Sequence, residues 1–107
     1  MSYSRAADYK DEEQLIATYS KITAHPARLR ILKQLSTNPL TLYQLTEDHP
    51  APQSTVMRHL NVLISYRLVT IESTSSPATY TSLKNDWPPF IQHAVRLAYR
   101  FNYANAA

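Results

Sequence analysis

Cys is absent from the 107 residues, and the four histidines, His25, His49, His59 and His93, stand 24, 10 and 34 positions apart. No two imidazoles fall at the i, i+4 spacing that places a pair of ligands on one helix face. No thiolate is available as soft ligand, nucleophile or disulfide partner. Gly is absent as well, so neither the phosphate-cradling loops of nucleotide-binding proteins nor the G-x-S-x-G elbow of hydrolases can be written. The densest carboxylate run, Asp11-Glu12-Glu13, reads as a solvated first turn of a helix, where the helix dipole favours acidic groups. With no paired carboxylates and no nucleophile-base set, an enzyme is not expected, and neither is a cofactor or a metal centre.

The chemistry that remains lies on one polar helix face, and the elements around it can be read from start and stop signals. Residues 1–10 lack periodicity and read as a loose arm. Asp11, with Gln14 three positions on, is expected to cap a helix to about Thr23 whose apolar stripe is Leu15, Ile16, Tyr19 and Ile22. His25-Pro26 restarts the chain, with Pro in a first turn where its missing N–H is harmless. Ile31, Leu32 and Leu35 form the buried side of a helix to about Ser36. After Asn38-Pro39 comes a capping box of Thr41 and Gln44, flanked by Leu40 and Leu45 as a hydrophobic staple, opening a short helix from Leu42 to about Asp48.

Pro52 then opens a helix over about 52–66. Its apolar stripe is Val56, Leu60, Leu63 and Ile64, at i, i+4, i+7 and i+8; Ser54, Arg58, Asn61 and Ser65 point the other way, with Thr55 beside them. The β-branched runs Val69-Thr70-Ile71-Glu72-Ser73 and Thr79-Tyr80-Thr81-Ser82-Leu83 flank a turn-rich segment and predict a hairpin over 69–83. Asp86 is expected to cap a last helix carrying Pro88 and Pro89 in its first turn and Phe90, Ile91, Ala94, Val95, Ala98 and Phe101 as apolar residues.

Composition fits one globular domain, with 44% hydrophobic and 18% charged residues; its span is set at 11–103, with 104–107 as a tail. No apolar run approaches membrane-spanning length, and the polar start is no secretory leader, so a cytoplasmic protein without membrane contact is expected. The formal charge of +3 is unevenly placed: residues 1–53 carry six basic and six acidic groups, residues 54–107 five and two. The surplus, which favours a polyanion partner, lies entirely in the second half.

Helix, helix, short helix, turn, helix, hairpin, helix is the order of a winged helix-turn-helix, a mainly α fold with a small β-hairpin. His25-Pro26-Ala27-Arg28-Leu29-Arg30-Ile31-Leu32 resembles the D-P-T-R-L-x-I-L signature of the ArsR/SmtB-like regulators. Leu45 to Leu60 aligns without a gap on that family's L-x-x-x-L-G-L-S-Q-S-T-V-S-R-H-L, with Gln53-Ser54-Thr55-Val56 and Arg58-His59-Leu60 identical. His25, Pro50, Pro52 and Met57 depart from the pattern. So does Arg67, at the place of a Gly that ends the recognition helix; a left-handed residue other than Gly costs about 1 kcal/mol or more, so this junction is expected to be rebuilt.

The resemblance implies a homodimeric, sequence-specific regulator of double-stranded DNA, a repressor in type, with helix 52–66 in the major groove and hairpin 69–83 as wing. Its contact residues would be Gln53, Ser54, Thr55, Arg58 and His59, with Arg67 and the wing residues Ser75 and Ser76 on phosphates. The terminal helices would form the dimer surface through Leu15, Ile16, Tyr19, Trp87, Phe90, Ile91, Ala94, Ala98 and Phe101. The family's thiolate metal site needs Cys, and its last-helix site needs more ligands than His93 supplies, so metal sensing is not expected; the nature of any small-molecule or protein effector stays open. Trp87, Tyr99 and Phe101 read as interface anchors or, alternatively, as walls of an aromatic ligand pocket between the last helix and the core. The rival reading of the whole is a winged-helix module that binds protein, favoured by a wing whose only charge is Glu72.

Overall fold

A computed structural model describes the backbone of residues 8–106 and the side chains of residues 8–99. The arm expected over 1–10 therefore lies mostly outside the described residues. The elements follow in the expected order: α1 (Asp11–Thr23), α2 (Pro26–Leu35), β1 (Leu40–Thr41), α3 (Leu42–Thr46), α4 (Gln53–Ser65), β2 (Val69–Ser73), β3 (Thr79–Ser82), a short 3-10 turn (Lys84–Asp86) and α5 (Pro89–Ala106). The last helix thus runs past residue 103, where a tail was expected to begin. Among the described residues no helix is long and apolar enough to cross a membrane.

Two caps differ from the sequence reading. Lys10, not Asp11, is the cap of α1: the Lys10 backbone N–H donates to Glu13 Oε1 at 3.1 Å, and Gln14 Nε2 donates to the Tyr9 carbonyl at 2.8 Å. Asp11, Glu12 and Glu13 fill the first turn, where their charges meet the positive end of the helix dipole. Asp86 sits in the 3-10 turn instead of capping α5. The helix starts at Pro89, and Gln92 anchors its first turn through its backbone N–H to the Pro88 carbonyl and its Nε2 to the Trp87 carbonyl. The α3 cap forms as expected, with Gln44 N–H donating to Thr41 Oγ1 at 3.1 Å and Thr41 N–H to Gln44 Oε1 at 2.9 Å.

The sheet has three strands rather than two, in the antiparallel order β1-β3-β2. Leu40, read as half of a staple, also pairs with Tyr80, and Thr41 pairs with Thr79. On the other side of β3, Val69 faces Ser82 and Ile71 faces Tyr80, with a bulge between Ile71 and Ser73. Two residues are too short a segment to show strand periodicity, so β1 left no readable signal.

One apolar core holds these elements together. Ile22 of α1, Ile31, Leu32 and Leu35 of α2, Leu45 of α3, Val56, Leu60 and Leu63 of α4, Leu68, Val69 and Tyr80 of the wing region, and Trp87, Ile91 and Val95 near and in α5 are all buried. Trp87 donates its indole N–H to the Leu68 carbonyl at 2.8 Å, which satisfies the one polar atom that its burial removes from water. α4 is thereby clamped by core contacts along one side and leaves the opposite side to solvent.

Candidate nucleic-acid interface

The junction after α4 fixes how that helix is presented. Arg67 has φ 60°, in the left-handed region, so the expected rebuilding does not occur: the turn is kept without glycine. The Leu68 N–H donates to the Leu63 carbonyl at 3.0 Å and the Arg67 N–H to the Ile64 carbonyl at 2.9 Å, the two bonds of a Schellman cap. Burial of Leu68 against the core, where Leu63 also lies, supplies the apolar contact that goes with this cap. Together they outweigh a left-handed penalty of about 1 kcal/mol.

On the open side of α4, Ser54, Arg58, Asn61 and Ser65 are exposed and Thr55 is half-buried, and Gln53 is exposed as the first residue of the helix. Pro52 caps the helix without a side-chain hydrogen bond, its carbonyl accepting from the Thr55 and Val56 N–H groups. The N–H groups of Gln53 and Ser54 lie in the first turn, where a helix has no intrahelical acceptors and offers its donors to an anion. Gln53, Ser54 and Arg58 are thus gathered at one accessible helix end. Arg67, also exposed, stands at the other end of the helix. Ser75 and Ser76 are exposed in the loop between β2 and β3, where the Ser73 and Ser75 hydroxyls lie 2.6 Å apart and Ser73 Oγ accepts from the Ser75 N–H at 3.3 Å.

His59 departs from the rest. It is half-buried and turned towards α2, where its Nδ1 accepts from Arg28 Nε at 3.1 Å and its ring lies 5.3 Å from that of His25. Burial, and then the charges of Arg28, His25, Arg58 and His49, hold its pKa below the ordinary value. With Nδ1 accepting, the neutral ring carries its proton on Nε2, the one atom left to donate to a phosphate. Arg30 reaches the other way, donating Nη1 to the Asp48 carbonyl at 3.2 Å in the turn before α4. Sequence reasoning read Arg28 and Arg30 only as family markers. In the fold they brace α4 and its turn against α2.

The residues expected at a dimer surface divide into two sets. Leu15 and Ile16 are 51% and 52% exposed, and Tyr19 stacks on Phe90 with ring centroids 6.5 Å apart, both half-buried. Ala94 is half-buried, and Leu97, which the sequence reading passed over, is 38% exposed. Trp87 and Ile91 correct the expectation: both are buried in the chain's own core, where no second chain can reach them. Ala98 lines a cavity between α2 and α5, and the side chain of Phe101 lies outside the described residues.

Residues 25–70 match the model of the arsR family of bacterial regulatory proteins. Over that segment the chain resembles the arsR family, and its fold is a winged helix-turn-helix. No curated protein matches it significantly, whereas solved structures share its fold over most of its length. The transcriptional repressor BigR from Xylella fastidiosa superposes with a TM-score of 0.71 at 19% identity, over 96% of this chain and 98% of that one. Reduced HlyU from Vibrio cholerae gives 0.66 at 24% identity, covering 85% and 93%. The regulator HlyU from Vibrio vulnificus gives 0.68 at 22%, covering 89% and 95%. The matched segment spans α2, α3 and α4, the last two forming the helix-turn-helix.

Proposed function

We propose that this ArsR-like protein is a sequence-specific transcriptional repressor that binds double-stranded DNA as a homodimer and works without the family's metal sites. The observation that carries the reading is the open face of α4. Gln53, Ser54 and Arg58 are exposed together at its N-terminal end while Val56, Leu60 and Leu63 anchor the opposite side. A major groove about 12 Å wide admits a helix in this orientation, with Arg58 suited to guanine and the amide and hydroxyls to base edges or phosphates. Arg67, the His59 Nε2–H and the Ser75 and Ser76 hydroxyls are the supporting phosphate donors.

The role of repressor is supported by the likeness to BigR, a transcriptional repressor. Dimerisation is supported by Leu15, Ile16 and Leu97, which expose large apolar groups beside the Tyr19–Phe90 stack on α1 and α5, and by the modest charge of a single reading head. The metal-independent reading is supported by the absence of Cys and by the donor set: among the described residues no three of His, Asp and Glu gather where they could hold an ion.

The rival reading, a protein-binding winged helix, is favoured by one feature: the wing has Glu72 as its only charge and exposes Ile71. Selection from a random duplex library, followed by mobility shift at two salt concentrations, separates the two. A DNA regulator enriches one duplex sequence and loses affinity as salt rises, while an interaction module enriches none.

A further inference from the structure

Between α2 and α5 lie two adjoining cavities that the DNA-binding reading does not use, and they share Lys33, Val95 and Tyr99 in their walls. The Lys33 ammonium sits 3.4 Å from the centre of the Tyr99 ring. The outer cavity, about 340 Å³, is lined by Lys33, Lys84 and Arg96 together with Trp87, Val95 and Tyr99, with the amides of Asn85 and Gln92 at its edge. The inner one, about 310 Å³, adds Arg30 from α2. Among the described residues no carboxylate lines either of them.

We propose that this cleft binds a small organic anion carrying an aromatic ring, such as an aromatic carboxylate. Lys33 and Arg96 line the outer cavity with no carboxylate in its wall, and Lys84, whose ammonium donates to the Ser36 carbonyl at 2.8 Å, stands at its edge, so an anion entering it meets counter-charges. Trp87 and Val95 are nearly fully buried and form a rigid apolar wall, and Tyr99 offers a ring already polarised by Lys33. A volume near the low end of ligand pockets, with apolar walls and a few placed charges, suits a single ring with one anionic group. Neither an apolar molecule nor a metal cation fits: the first makes no use of the basic groups, the second is repelled by them.

The cleft and the apolar surface proposed for dimerisation occupy different faces of α5. Gln92, Val95, Arg96 and Tyr99, at i, i+3, i+4 and i+7, share one face. Phe90, Ala94 and Leu97 lie on the other, since two residues along a helix are about 200° apart. A dimer built on the second face leaves the first open. Its wall also touches the reading head: Trp87 is bonded to Leu68, the residue that closes the cap of α4. Ligand binding itself does not depend on DNA binding, so the two readings are tested separately.

Trp87 is the only Trp in the chain, so its indole N–H, bonded to the Leu68 carbonyl behind the cleft wall, gives a single resonance in a nitrogen-proton correlation spectrum on a residue that lines the cleft. Titration with benzoate is expected to shift that resonance saturably, with benzyl alcohol, which lacks the charge, and acetate, which lacks the ring, each binding at least about tenfold more weakly. Arg96→Gln, at an exposed position, and Lys33→Met are each expected to weaken benzoate about tenfold while the ligand-free spectrum stays dispersed. Arg58→Ala, remote from the cleft, leaves benzoate binding unchanged. Absence of a saturable shift with benzoate overturns the proposal. So does equal binding of benzyl alcohol, or undiminished binding by a folded Arg96→Gln protein.

Discussion

Helix α4 and the hairpin that follows it are adjacent in the chain and both reach solvent, yet they are built to different standards. α4 is fixed along its buried side by Val56, Leu60 and Leu63, closed by two Schellman bonds at Arg67 and Leu68, and braced at its flank by Arg28 on His59. Its polar face is therefore held in one place. The hairpin is anchored at its base, by Val69 and Tyr80, its tip carries serines bonded to one another, and its single carboxylate, Glu72, lies in β2. A rigid helix with a guanidinium supplies direction and charge; an uncharged tip supplies neither. On the proposed DNA-binding reading, the difference concentrates recognition in the helix and leaves the wing to add contact area more than affinity.

The largest effect follows from undermining the support of α4. Leu63→Ala should lower stability by about 2 to 5 kcal/mol, measured by denaturant unfolding, because the Leu63 side chain is fully buried in the core. A loss under 1 kcal/mol would show that the helix is not held from this side. Next in size, Arg58→Ala should weaken binding to the selected duplex by about 1 to 3 kcal/mol with the melting curve unchanged.

Arg67→Gly sharpens the comparison from the other direction. Relief of the left-handed penalty should stabilise the protein by about 1 kcal/mol, partly offset by the greater freedom of glycine in the unfolded chain. Replacing Ser75 and Ser76 together by Ala should change duplex affinity by less than about 1 kcal/mol; a larger loss would raise the wing to equal rank with the helix. The last prediction concerns pH. The pKa values of His49 and His59 are lowered in the fold, first by burial and then by neighbouring cations. Below about pH 6.5 the unfolded chain takes up protons that the folded chain does not. Stability should be full above that pH and decline as the pH falls towards the folded values. His59→Gln should flatten the decline, as read from melting temperature against pH.

Much of this was legible because local signals and tertiary packing agreed. The Thr41–Gln44 capping box, the Pro26 start and the Val56, Leu60, Leu63 stripe are each short-range patterns, and the core took all of them up. The site face was legible for the same reason: once the buried side of α4 is known, Ser54 and Arg58 must face outward, while Gln53 is exposed as the first residue of the helix. What the sequence hid depends on contacts between distant segments. β1 exists because Leu40 and Thr41 meet β3 nearly forty residues later. Trp87 is core rather than surface because its indole reaches Leu68. Arg28 and His59, 31 positions apart, carry no pattern that announces their bond. Arg67 shows a further limit: the penalty of a left-handed arginine was readable, but the bonds and buried leucine that outweigh it were not.

The claim that α4 reads DNA from the major groove while the wing is subordinate is tested most directly by chemical protection on the selected duplex. Dimethyl sulfate methylates guanine N7 in the major groove and adenine N3 in the minor groove, so the two are scored in one experiment. The expected result is N7 protection in two half-sites whose centres lie about one helical turn, or a whole number of turns, apart, lost at one guanine in each half-site with Arg58→Ala and retained when Ser75 and Ser76 are Ala. Protection confined to adenine N3, or N7 protection indifferent to Arg58, would contradict it.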